Sequence, residues 1–181
     1  VRIVQENEVD YTTLKLVDFD LEKHEEFDLE SSLSKIIGLE NVKNFLRNQY
    51  HILKAQEKRR TLGVSADVTQ SLNMIFIGNP GTGKTTVARL FAQIMKDNGL
   101  LSKGDLYEVG RADIVGQYVG QTAPLVKAMF RKAKGSVLFI DEAYSLVDDR
   151  DGLYGDEAIN TIVQEMENNR EDTVVVFAGY P

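Results

Sequence analysis

Residues 78–85 read Gly-Asn-Pro-Gly-Thr-Gly-Lys-Thr: one glycine, four residues, then Gly-Lys-Thr. A phosphate chain needs backbone N–H groups at close range, and glycines let the backbone come that near. A helix starting straight after such a loop aims its positive end at the same anion. On this reading Gly78, Asn79, Pro80, Gly81, Thr82 and Gly83 wrap the phosphates, Lys84 reaches the β- and γ-phosphates, and the Thr85 hydroxyl holds Mg²⁺. The competing reading is a glycine-rich turn that binds nothing. Downstream, the apolar run Val137-Leu138-Phe139-Ile140 ends in Asp141 and Glu142. Asp141 would hold Mg²⁺ with Thr85, directly or through water, and Glu142 would polarise a water for in-line attack on the γ-phosphate. Two carboxylates after a strand are otherwise ordinary solvated groups. Following a complete phosphate loop, they turn a binding hypothesis into a hydrolysis hypothesis.

Both motifs need a strand behind them. Leu72-Asn73-Met74-Ile75-Phe76-Ile77 leads into the loop, and Val87, Leu90, Phe91, Ile94 and Met95 keep a helical rhythm out of it until Asn98-Gly99. A short strand near 105–109 and a glycine-punctuated loop over 111–120 follow. Thr122 is placed to cap a helix with Pro124 in its first turn and a buried face of Val126, Met129, Phe130 and Ala133. The run 137–140 reads as a buried parallel strand, with charge only at its carboxyl end, where open α/β sheets bind ligands. Ile159, Ile162, Val163 and Met166 mark another helix, and residues 173–178 another central strand. Upstream, Val42, Phe45, Leu46, Gln49, Ile52 and Leu53 share a helical face, with Gly63 placed to end that helix. The basic residues at its end, Lys54, Lys58, Arg59 and Arg60, suit the helix dipole and read as a solvated terminus. The succession predicts an α/β fold with a parallel sheet and right-handed crossovers.

Bulk composition narrows the chemistry. The chain has no cysteine, which excludes disulfides, thiolate metal sites and thiol catalysis, and its two histidines, His24 and His51, stand in no ligand spacing. The net charge of −7 is concentrated in residues 1–31, which carry ten acidic and three basic residues and read as an acidic leader or linker. The remaining chain is balanced, without the basic excess of a nucleic-acid surface. No apolar stretch is long enough to span a bilayer.

Taken together, these blocks resemble the AAA+ ATPases, and more closely the branch of stage V sporulation protein K and the red-type Rubisco activases. The resemblance rests on Ile37-Gly38-Leu39-Glu40-Asn41-Val42-Lys43, on Phe76 through Arg89, on Val115 through Pro124, on Leu138 through Leu146, and on Phe177-Ala178-Gly179-Tyr180-Pro181. It covers residues 33–181, within a core expected over 32–181. It implies a three-layer P-loop core, cytoplasmic location, ATP and Mg²⁺ as cofactors, and a homo-oligomeric ring that threads or remodels a protein partner. Nucleic acid and membrane partners are not expected. Ile37 and Gly38 fall where the family's chain passes the adenine, and Thr86 joins the nucleotide-binding set. Tyr118 and Val119, between Gly116 and Gly120, fall in the loop that the family's ring presents to its pore; the alternative is a Tyr118 packed on the domain surface. The arginine finger, the last strand of the family's sheet and the helical lid would lie beyond Pro181, leaving a core truncated before them. The family usually has a polar residue, often Asn, after this strand that helps position the attacking water; this chain departs from that pattern, with Tyr180 occupying the place without doing that job.

Two other functions compete with the ATPase reading. A P-loop phosphotransferase would share the loop, but it must keep water from the γ-phosphate, which the tandem Asp141-Glu142 does not favour. A nucleotide-switched scaffold with negligible turnover would share every motif. With the arginine finger and lid expected beyond Pro181, the ATPase reading itself predicts slow hydrolysis by the 181 residues on their own.

Overall fold

The computed structural model describes residues 27–63, 72–116, 118, 120–147 and 153–180. Most of the acidic leader, and Val119 of the expected pore loop, lie outside these residues. Four strands, β1 (Met74–Ile77), β2 (Leu106–Val109), β3 (Val137–Ile140) and β4 (Val174–Gly179), form one parallel sheet in the order β1-β4-β3-β2. Helix α1 (Leu29–Ser34) and helix α2 (Glu40–Thr61) precede β1, and α3 (Lys84–Asp97) connects β1 to β2. The one-turn α4 (Arg111–Ile114) and α5 (Thr122–Lys132) lead to β3, and a 3-10 turn (Ala143–Leu146) and α6 (Leu153–Asn168) lead to β4. No helix among the described residues is long and apolar enough to cross a membrane.

Strands covered on both faces must be apolar at every position, and β3 is buried at all four. Val137 and Phe139 of β3, with Val174, Val176 and Ala178 of β4, face a core built with Phe91, Ile94 and Met95 of α3 and Leu46 and Leu53 of α2. Leu138, Ile140 and Val175 face the opposite core with Phe130 of α5 and Ile162 of α6. Two helical layers thus enclose the sheet, the parallel α/β fold predicted from the element order and the three-layer core implied by the resemblance. Phe139, fully buried between strands and helices, anchors the first core. Truncating it to Ala should cost about 3–5 kcal/mol through lost transfer energy and the cavity left behind.

β1 stands at the end of the sheet with β4 as its neighbour. Its Met74 and Phe76 pack against the first core, whereas Ile75 and Ile77 are 72% and 67% exposed on the other face. The alternation that marks β1 as half-covered was visible only as an apolar run in the sequence.

Several local readings change. Along α2 the buried positions are Leu46 and Leu53, with Val42 and Tyr50 packed beside them, while Phe45 and Ile52 face outward. Helix α1 runs through residue 31, capped by the Asp28 carboxylate on the Ser31 N–H, and buries Leu29 and Leu33, so packing begins inside the acidic stretch. Residues 111–114, expected as loop, make one helical turn. Thr122 is the first residue of α5 and is preceded by Gln121 in the cap position. Its buried hydroxyl accepts the Gly116 N–H at 3.1 Å, tying down the preceding loop instead of capping the helix.

Candidate active site

Parallel pairing aligns the carboxyl ends of β1, β4 and β3, from which the phosphate loop, Tyr180 and the Asp141-Glu142 pair depart. Ile77 is in register with Gly179, and the Gly78 N–H donates to the Gly179 carbonyl at 3.1 Å, so the loop departs from a pinned point. Within the loop, Gly81 and Gly83 adopt φ of +72° and +85°, where a Cβ would strain the backbone. Gly83 is the residue before α3 and supplies no side-chain cap, which leaves the first-turn N–H groups to an anion. The loop is braced internally by Thr82 Oγ1, which donates to the Asn79 carbonyl at 2.8 Å.

Lys84, the first residue of α3, folds its ammonium over the loop and donates to the carbonyls of Gly78 at 2.8 Å and Asn79 at 3.2 Å. The Tyr180 ring lies 5.0 Å from the same ammonium, within cation–π range. Thr85, half-buried, stands next along the first turn. Across the sheet, the Asp141 N–H continues the β2–β3 ladder to the Val109 carbonyl at 2.9 Å. One Asp141 carboxylate oxygen accepts the Glu142 N–H at 2.9 Å. Glu142 adopts φ +50°, a left-handed conformation that costs a non-glycine residue energy, turning the chain sharply at the end of β3.

Glu142 does not stand alone. The Tyr180 hydroxyl donates to its Oε1 at 3.3 Å, and the Tyr144 and Tyr180 rings sit 5.5 Å apart at 40°. Desolvation first, and then the neighbouring Glu142 carboxylate, push both phenols above the usual tyrosine range, which keeps them protonated as donors. The loop, the acidic pair and Tyr180 therefore form one cluster, though their sequence positions span a hundred residues.

Beside this cluster, a cavity of about 620 Å³ opens between α2 and β1. Leu39, Asn41, Val42 and Phe45 line it on one side, and Gly78, Thr82, Lys84 and Val87 on the other. Ile37 lies outside that lining and is 96% exposed, and Gly38 takes φ +71°. The sequence points to Tyr180 at the family's polar position but assigns no part to Tyr144, nor to Asn41 and Val42 as cavity lining.

Tyr118 is 69% exposed, on a loop whose base is tight. A Cβ at Gly116 would come within 2.5 Å of the Gln121 Cβ and 3.0 Å of the Thr122 N, so only glycine fits that crossing. The Gln121 N–H returns to the Tyr118 carbonyl at 3.2 Å, and Gly120 takes φ +81°. Arg111, at the start of α4, donates to the Ser145 carbonyl and links that segment to the turn carrying Tyr144.

The residues present suit Mg²⁺ better than a softer ion. Among the described residues no group of three or more His, Cys, Asp or Glu stands together. The oxygens on offer are the Thr85 hydroxyl and the Asp141 carboxylate, hard donors of the kind that share Mg²⁺ with phosphate oxygens.

The ATPase family associated with various cellular activities (AAA) matches residues 74–180. The chain belongs to the AAA family of ATPases. Among AAA proteins it is 48% identical to Protein CbbX of Cereibacter sphaeroides, over 84% of this chain and 49% of that one. It is 41% identical to Stage V sporulation protein K of Bacillus subtilis, over 84% and 47% of the two chains. It is 48% identical to the chloroplastic ribulose bisphosphate carboxylase/oxygenase activase of Cyanidioschyzon merolae, over 81% and 50%. The branch suggested by the motifs is thus the one these relatives occupy. The chain spans about half the length of each of these relatives. The FIGL-1 AAA domain, solved in complex with ADP, superposes with a TM-score of 0.53 over 85% of this chain and 55% of its own. At 23% identity, that likeness speaks for the AAA fold alone.

Proposed function

We propose that this AAA module binds ATP with Mg²⁺ at the loop 78–86, hydrolyses it with Glu142, and couples the turnover to work on a protein partner within a homo-oligomeric ring. The observation that carries the chemistry is the cluster at the strand ends, where Lys84, Tyr180 and Glu142 follow one another within 5.0 Å and 3.3 Å contacts. Lys84 and the loop N–H groups bind and orient the phosphates. Thr85 and Asp141 would hold Mg²⁺, which neutralises the charge that builds on the β- and γ-phosphates. Glu142 accepts a proton from water aligned with the γ-phosphate. The adenine is assigned to the cavity wall that begins at Leu39, next to the backbone of Ile37 and Gly38.

The protein partner is assigned to the Tyr118 loop, on the strength of an exposed aromatic held on a short hydrogen-bonded projection. Such a ring offers contact area to many sequences without requiring a matched donor. The names of the relatives, among them an activase of a carboxylase, support a macromolecular target in general terms. They do not choose the partner.

The deciding experiment is Glu142→Gln in the intact protein. Nucleotide binding should persist within a few-fold of the parent while phosphate release falls by about a hundred-fold or more, because geometry stays and the proton acceptor is lost. Parental turnover in that variant would favour a phosphotransferase. Binding without turnover in the parent, in the presence of its protein partner, would favour a nucleotide-switched scaffold.

A further inference from the structure

We infer that Glu30 and Arg47 are positioning residues for the base-side wall of the nucleotide cavity, a clasp that holds α1 on α2 so that residues 36–39 keep one conformation. The inference rests on the nucleotide-binding reading above and adds two residues that lie in none of its motifs. Arg47 donates through Nε to Glu30 Oε1 at 2.8 Å and through Nη2 to Glu30 Oε2 at 2.9 Å, a two-pronged contact between the helices. Its third nitrogen, Nη1, donates to the Asn44 side chain at 3.1 Å, so the guanidinium is fixed to α2 as well as to α1. The hydrogen bonds from Arg47 hold the Glu30 carboxyl below the usual carboxylate range, which keeps the pair ionised. The same two helices share a core: Leu29 and Leu33 of α1 are buried with Leu46 of α2, and Ile36 packs against them.

What the clasp fixes is a strained turn. Between Ile36 and Val42, both packed on the core, Ile37 is almost wholly exposed, and Gly38 and Leu39 take φ of +71° and +56° in succession. A left-handed glycine is unstrained, whereas a left-handed leucine persists only where its surroundings hold it there. Leu39 stands immediately before α2, and its carbonyl accepts the Lys43 N–H at 3.0 Å, so its backbone also sets where that helix starts. The side chains displayed from this start, Leu39, Asn41, Val42 and Phe45, form the cavity wall opposite Thr82 and Lys84. A turn free to relax to ordinary backbone angles would carry Leu39 out of that wall, and a ligand would then have to supply the ordering free energy itself. The clasp supplies it beforehand. Exposed ion pairs contribute little as a rule, and a two-pronged arginine–carboxylate contact is the geometry in which they contribute most.

The clasp acts on the base and not on the phosphates, and binding measurements separate the two. In the intact protein, Arg47→Met and Glu30→Gln should each weaken ATP and ADP binding about three- to ten-fold, while the dissociation constant for inorganic triphosphate stays within about two-fold. Because the pair acts as a unit, the double substitution should cost no more than either change alone. Amide hydrogen exchange over residues 36–42 should quicken in Arg47→Met and stay parental over residues 78–86. Parental ATP affinity in both single variants would overturn the inference. An equal loss for ATP and triphosphate would do so too, since that is the mark of a general structural fault, as would unchanged exchange over residues 36–42. If the unsubstituted protein binds triphosphate as tightly as ATP, the cavity reads no base: that result removes the adenine assignment itself, which the clasp variants on their own leave standing.

Discussion

Lys84 carries the largest expectation for any single side chain. Its ammonium already gathers two loop carbonyls at 2.8 and 3.2 Å, at the centre of the curve proposed for the phosphates. Lys84→Ala should weaken ATP binding by about ten- to a hundred-fold, the range of a charge-assisted hydrogen bond, as read with a fluorescent ATP analogue. Arg89 serves as the control: it is exposed, pairs with Glu108 at 3.0 Å outside the cluster, and should bind the analogue as the parent does when changed to Ala. The roles of Lys84, Thr85, Asp141 and Glu142 could be proposed from sequence because each residue type has few uses at that spacing. The Tyr180 contact could not, since it joins residues 38 positions apart through a side-chain bond whose existence depends on strand order.

Elements show where sequence periodicity succeeds and where it stops. β3 and β4 were legible because burial on both faces makes a strand apolar throughout, and α3 because a sustained 3.6-residue rhythm has one explanation. α1 and α4 were missed: six and four residues give too little periodicity to separate a turn of helix from a loop. Which of the apolar residues of α2 face inward was also beyond reach, because Phe45 and Ile52 belong to the same broad stripe as Leu46 and Leu53. The 115–122 loop supplies two predictions at this scale. Thr122→Val should destabilise the fold by about 1–3 kcal/mol in denaturant titration, since it leaves the Gly116 N–H without its acceptor. Tyr118→Ala should leave basal ATP hydrolysis within a few-fold of the parent and sharply reduce work on the protein partner, because the ring is 69% exposed on a loop separate in sequence from residues 78–86. Remodelling at the parental rate would return Tyr118 to an ordinary surface role.

At the scale of the molecule, the sheet is uneven: β3 and β4 are buried in the middle, β2 is partly covered, and β1 is half-covered at the other edge. Ile75 and Ile77 make an apolar rim there, and an open apolar strand at a sheet edge is a template for pairing with other chains. The 181-residue chain should therefore show a sedimentation mass that climbs with concentration. Ile75→Lys should flatten that climb while lowering thermal stability little, since Ile75 is 72% exposed. A mass independent of concentration in the unsubstituted chain would mean that the rim is covered by residues outside those described.

The strand order also sets a timetable for synthesis. β4 stands between β1 and β3, so the hydrogen bonds joining the phosphate loop to the acidic strand run through residues 174–179, the last to be translated of the four strands. A ribosome-bound chain that has released residues 78–142 holds both motifs but no ladder between them. Its affinity for nucleotide should rise abruptly only when Tyr180 clears the exit tunnel, making ATP a late witness of folding and not an early guide to it.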